Sequence, residues 1–229
     1  MNMILFGATG MIGSGALTEA LADPRVKQVL TVGRRPTGVS HAKLDELILT
    51  DFFDYTGVED RLTGFDACLF CLGATAAGKS EAEYRRLTYD LTLAAAETLV
   101  RLNPNMTFCF VSGLGTDSTE QGRQMWARVK GATENALQRL PFRAVYLFRP
   151  AYIQPVKGAV SKTALYRTFY AVLSPLYPVL KRLFPGYVTT TETMGRALIE
   201  AALNGADAHV PDSRAINALA DRSPSAATS

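Results

Sequence analysis

Apolar positions along the chain follow two alternating rhythms. Met3–Phe6, Gln28–Val32, Glu46–Leu49, Ala67–Leu72, Thr107–Val111 and Ala144–Phe148 are short, nearly unbroken apolar runs. Runs of this length, without strict alternation, read as strands buried on both faces of a sheet. The segments between them repeat at helical spacing instead. Met11–Ala22 sets Ile12, Ala16, Leu17, Ala20 and Leu21 on one side. Ser80–Leu102 does the same with Tyr84, Leu87, Leu91, Ala94, Ala95, Leu99 and Leu102.

Local signals bound these helices. Ser80-x-x-Glu83 is a capping box, in which hydroxyl and carboxylate satisfy free backbone donors. Asn103-Pro104 ends that helix, because proline cannot continue the hydrogen-bond ladder. A third helix is expected over 119–140, from Ser118-x-x-Gln121 to the stop at Pro141. A fourth opens at Thr189-x-x-Glu192 and ends at Asn204-Gly205. Strands alternating with helices, without tight Asn-Gly hairpins, predict an α/β fold. The expected form is a Rossmann-like, doubly wound parallel sheet with helices on both faces. No repeat or linker interrupts it, so residues 1–220 read as one domain, with 221–229 a flexible Ser- and Ala-rich tail.

Composition narrows the chemistry. Of 229 residues 48% are hydrophobic and 20% charged, which excludes a disordered chain. A net charge of +3 is too balanced to propose nucleic acid as a partner. Two histidines and three cysteines form no cluster with zinc spacing. Cys68 and Cys71 make a C-x-x-C, but within a strand these positions face opposite sides and neither bridge nor share a metal. Unpaired, buried cysteines point to a reducing compartment. The opening residues lack a basic region and meet glycine too early for a signal peptide. The longest apolar candidate for a transmembrane span, 168–180, is too short and holds Pro175 and Pro178. The expected location is therefore cytoplasmic.

The sharpest motif follows the first strand: Gly7-Ala8-Thr9-Gly10-Met11-Ile12-Gly13, opening the first helix. Gly7 permits the turn, Gly10 lets backbone approach a pyrophosphate, and Gly13 allows helix and strand to pack closely. Thr9, Met11 and Ile12 stand at the helix N-terminus, whose free N–H groups suit phosphate. After the second strand, NAD binders carry a carboxylate for the ribose 2′-hydroxyl. Here that place holds Arg34 and Arg35, whose guanidinium forks suit a 2′-phosphate, so NADP is favoured over NAD. Asp51 and Phe52, just past the third strand, are candidates to flank the adenine.

These segments together resemble the short-chain dehydrogenase/reductase superfamily. The resemblance is carried by GATGMIG, VGRR, LTDFFD, CLGAT, VSGLGTDS and the later Val129-Lys130-Gly131, and runs from residue 1 to roughly 216. The nearest branch is the atypical group, with epimerase-like proteins and the HIV Tat-interacting protein relatives. The resemblance puts Leu72, Gly73 and Ala74 beside the cofactor. It also implies a tyrosine and a lysine one helical turn apart, assisted by a serine, as the acid–base machinery. Lys130 matches that lysine and Ser112 that serine, with Thr116 and Ser118 as substitutes. Four residues before Lys130 stands Trp126, not tyrosine. An indole donates but does not ionise near neutrality, so it cannot transfer the proton. Trp126 either lines the substrate pocket or packs the helix, and Tyr84, Tyr89 and Tyr152 are candidates to replace the missing phenol.

One charge asymmetry remains. No acid occurs between Glu134 and Glu192, while eight bases do: Arg139, Arg143, Arg149, Lys157, Lys162, Arg167, Lys181 and Arg182. Within this interval, 150–190 is expected to cap the substrate side. The basic, aromatic stretch 164–184 reads in three ways: an active-site cap, an interface with a second copy in a homodimer, or a peripheral contact with an anionic membrane. The expected activity is that of an NADP(H)-binding oxidoreductase or epimerase-like enzyme on a small carbonyl or hydroxyl compound. The alternative is a catalytically silent nucleotide-binding regulator or scaffold.

Overall fold

The computed structural model describes residues 1–156 and 186–223. Six parallel strands form the central sheet: β1 (Asn2–Phe6), β2 (Gln28–Gly33), β3 (Leu44–Ile48), β4 (Ala67–Phe70), β5 (Thr107–Val111) and β6 (Ala144–Phe148). Their spatial order, β3-β2-β1-β4-β5-β6, reverses between β1 and β4. Such a reversal leaves a crevice at the carboxyl ends of the strands, where doubly wound sheets hold ligands.

The apolar runs lie in these strands because both faces are covered. Met3 and Leu5 pack toward α1 (Met11–Ala22), which lies with two later helices on one face. Ile4 and Phe6 point the other way, into a core of Phe70, Phe108 and Leu99. Helices α2 (Glu81–Arg85), α3 (Leu91–Leu102) and α4 (Met125–Arg139) precede α5 (Thr191–Asn204) and α6 (Ser213–Ala220). The edge strand β3 starts two residues before its expected position, because Leu44 and Asp45 already pair with Val29 and Leu30 of β2 although polar Asp45 and Glu46 interrupt the apolar run.

Three differences from the sequence reading have clear causes. The long helix of 80–102 does open with the Ser80–Glu83 capping box, but Arg86–Asp90 forms a π turn. That turn resets the helical phase between Tyr84 and the sheet-facing Leu91, Ala95 and Leu99. The third helix begins at Met125, not near Thr119. The Asp117 carboxylate accepts the N–H groups of Thr119, Gln121 and Gly122, closing 117–122 into a loop that rests on α4. Gly131 makes that contact possible, since a Cβ there would lie 1.8 Å from the Asp117 carbonyl oxygen. The cap of α5 is Thr190, and Thr189 belongs to β8 (Val188–Thr190), which pairs with β7 (Tyr152–Gln154).

Cys68 and Cys71 do face opposite sides, Cys68 among Ile4 and Phe6 and Cys71 against the α1 face. All three cysteines are free. The start of the supposed tail is tied down: Arg222 pairs with Asp207, and Ser223 accepts from Arg25 at 3.0 Å. Residues 224–229 lie outside the described residues. So do the basic aromatic stretch 164–184 and most of the expected cap.

Candidate dinucleotide and substrate site

The glycine loop positions everything else. Gly7 takes a positive φ of 80°, and its carbonyl accepts from Gly10 N at 2.8 Å, turning the chain from β1 into α1. A Cβ on Gly7 would lie 2.7 Å from Leu72 N, so the β4 end also presses on the loop. No side chain caps the N-terminus of α1, and its first turn holds no acid. The positive end of the helix dipole is thus left for an anion.

Two clefts flank this helix end. The first, about 410 Å³, is lined by Gly7, Thr9, Arg34, Arg35, Phe52 and Leu72, among others. Both arginines are exposed, and Phe52 is buried. Asp51 does not line this cleft; its carboxylate accepts the Phe53 N–H at 2.8 Å. The second cleft, about 550 Å³, brings together Met11, Ile12, Ala74, Ser112, Trp126 and Lys130. Gly73 lies between the two, outside both linings, as do the structural glycines Gly10 and Gly13.

The second cleft is built where β5 meets α4. Trp126 occupies the first turn of α4 and Lys130 the next, so both face the same side. Lys130 is buried; its Nζ donates to the Val111 carbonyl at 3.0 Å and stands 4.7 Å from the centre of the Phe110 ring. Burial pulls its pKa down to about 8, against an opposing pull from Glu134. The Trp126 indole donates to Gln124 Oε1 at 2.8 Å. Ser112 Oγ contacts Glu134 Oε1 at 2.5 Å.

The three tyrosines separate. Tyr84, on α2, lines the second cleft. Tyr89 sits under the Arg85 guanidinium, 4.0 Å from its ring centre, and Tyr152 on β7 donates to Gln154 at 2.7 Å; neither is among the described residues lining these two clefts. Sequence reasoning missed Glu134 and Arg149 as parts of the site. Glu134 lies four residues after Lys130, a spacing that signals one helix face, but its partners come from elsewhere in the fold.

A parallel sheet of this order, with a glycine loop at its switch point and clefts on either side, defines a dinucleotide-binding protein. The chain belongs to the NAD dependent epimerase/dehydratase family, whose model matches residues 3–117. It is 29% identical over 218 residues to Protein fmp52, mitochondrial, of Emericella nidulans, covering 92% of this chain and 91% of that one. A protein of the same name from Aspergillus fumigatus is 26% identical over 222 residues, covering 92% and 90%. Among solved structures, DesIV, a dTDP-glucose 4,6-dehydratase from Streptomyces venezuelae with NAD and TYD bound, superposes with a TM-score of 0.67. It is 15% identical, with 93% of this chain and 75% of that one covered, and shows the shared fold.

These relatives correct the expected cytoplasmic location, because they are named mitochondrial proteins. Reduced cysteines suit any reducing compartment, so they could not have told one from another. Among the described residues no helix is long and apolar enough to cross a membrane, and no His/Cys/Asp/Glu cluster could hold a metal.

Proposed function

We propose that the chain is an NADP(H)-dependent oxidoreductase acting on a small carbonyl or hydroxyl compound. The observation that carries this reading is the division of the glycine loop. Gly7–Thr9 border a basic cleft, while Met11 and Ile12 border the cleft of Ser112, Trp126 and Lys130. A dinucleotide lying across the N-terminus of α1 would have its phosphates at the helix end and its two halves in the two clefts. The fit is supported by the loop itself, where any Cβ on Gly7 or Gly13 would strike backbone. Arg34 and Arg35 would hold a 2′-phosphate, and no carboxylate is among the described residues lining that cleft.

A bound nicotinamide supplies hydride transfer. The chain's own part is to hold the reacting oxygen and move one proton. Lys130 is suited to that proton exchange at Nζ, since its affinity of about 8 lies within reach of neutral pH. Trp126 takes the tyrosine's position and provides a flat apolar wall rather than an acid. Ile12, Ala74, Leu114 and Ile153 continue that wall.

The absence of a phenol at position 126 favours a second reading, a nucleotide-binding regulator without turnover. One experiment separates them. NADPH binding is measured by calorimetry, and NADPH oxidation is followed over a panel of aldehydes, ketones and quinones. Turnover with any class supports the oxidoreductase; tight binding with none supports the regulator.

A further inference from the structure

Ser112 carries one hydroxyl hydrogen, and the protein already claims it. Its Oγ lies 2.5 Å from Glu134 Oε1 and 3.1 Å from the Phe148 carbonyl oxygen. Both neighbours are acceptors. A backbone carbonyl never donates, and the Glu134 side-chain oxygens already accept from the Arg149 guanidinium. The Nε of Arg149 stands 3.1 Å from each carboxylate oxygen, and its terminal nitrogen bonds Oε2 as well. That same nitrogen donates to Ser118 at 2.6 Å, which fixes the guanidinium. Glu134 is only 1% exposed, so solvent offers its Oε1 little replacement for Ser112. Turning the hydroxyl hydrogen toward the cleft would cost the desolvated carboxylate a donor.

We propose that Glu134 fixes Ser112 as a hydrogen-bond acceptor toward the second cleft, so that the cleft selects hydroxyl-bearing ligands with an apolar body. This rests on the second cleft being the substrate side of a dinucleotide site. Ile12, Leu114, Trp126, Pro150 and Ile153 supply apolar walls. A ligand O–H aimed at Ser112 completes its hydrogen bonding. A ligand carbonyl in the same place sets lone pair against lone pair. Glu134 is thus a positioning residue, acting through Ser112.

Trp126 is the single tryptophan of the chain and lines this cleft, so its emission reports occupancy without turnover. NADP+ binding to the full chain is measured first, by calorimetry. The saturated protein is then titrated with cyclohexanol and cyclohexanone, which match in shape and differ in the polarity of their oxygen. Cyclohexanol is expected to bind roughly five-fold more tightly, the worth of one neutral hydrogen bond. Ser112→Ala should erase the difference, with thermal unfolding as the check on folding. In Glu134→Gln, Arg149 keeps the amide oxygen and the NH2 turns to Ser112. The serine then accepts from it, which occupies a lone pair otherwise open to the cleft and leaves its hydrogen to the Phe148 carbonyl or the ligand, so the preference should shrink or vanish. Equal affinities in the native protein, a preference for the ketone, or no response to either compound overturns the proposal. So does a preference that survives Ser112→Ala. Failure of NADP+ and NAD+ alike to bind overturns the dinucleotide reading and this inference together. Binding of NADP+ without the alcohol preference removes this inference alone.

Discussion

A Cβ on Gly13 would lie 2.1 Å from the carbonyl oxygen of Gly7. Neither partner can step aside, because Gly13 is in α1 and the Gly7 carbonyl already accepts from Gly10 N. Gly13→Ala should therefore push the helix off the strand end. The expected result is a melting temperature lower by about 5 °C, in line with overpacking costs of 1–3 kcal/mol. NADPH affinity should fall at least about tenfold, since the helix end that meets phosphate moves with it. Native unfolding and native affinity in this variant would contradict the close packing.

Arg34 and Arg35 are exposed at the wall of the first cleft. Replacing both with Ala should weaken NADPH binding about 10–100-fold, the worth of one or two charge-assisted hydrogen bonds. NADH, which lacks the 2′-phosphate, should change less than about threefold. Parallel titrations with the two cofactors test this, and equal losses would count against 2′-phosphate recognition.

Trp126→Phe keeps an aromatic wall and removes the indole N–H. If proton exchange runs through Lys130, kcat on a competent substrate should stay within about threefold of native. Carbonyl reduction should decline as pH rises through about 8, where Lys130 loses its proton, in both native and variant proteins. A collapse of kcat, or a profile without that limb, would assign the proton elsewhere.

Lys130 also couples stability to pH. Unfolded, it keeps its proton to about 10.5; folded, burial releases the proton near 8. Between these values the folded state binds fewer protons, so raising pH favours folding. Below pH 8 the cost of burying the charge is present in full. Lys130→Met removes this dependence. The melting temperature of native protein relative to Lys130→Met should thus rise by about 5–10 °C between pH 7 and 10. A constant difference across that range would show that Lys130 is not desolvated as described.

Much of the fold was legible because its signals are local. The six strands were readable from their buried runs, and α1 was readable to the residue because Gly10 precedes it and its apolar spacing is regular. The start of α4 was not. Ser118-x-x-Gln121 has the form of a cap, yet the Asp117 carboxylate captures the same backbone donors and holds them in a loop. Tyr84, Tyr89 and Tyr152 were equivalent in the sequence. The π turn and the β7–β8 pair separated them, and of the three Tyr84 lines the second cleft.

The sequence by itself determined the strand–glycine–helix unit, the paired arginines after β2, and a tryptophan one turn before Lys130. Each of these depends on residues within a few positions of one another, where helical and strand geometry leave little freedom. The two clefts on either side of α1 and the polarity of Ser112 were decided only by the tertiary structure. Ser112 follows β5, Glu134 lies on α4 and Arg149 follows β6. Their charges and hydrogens meet because adjacent parallel strands end at the same edge of the sheet, which no spacing along the chain records.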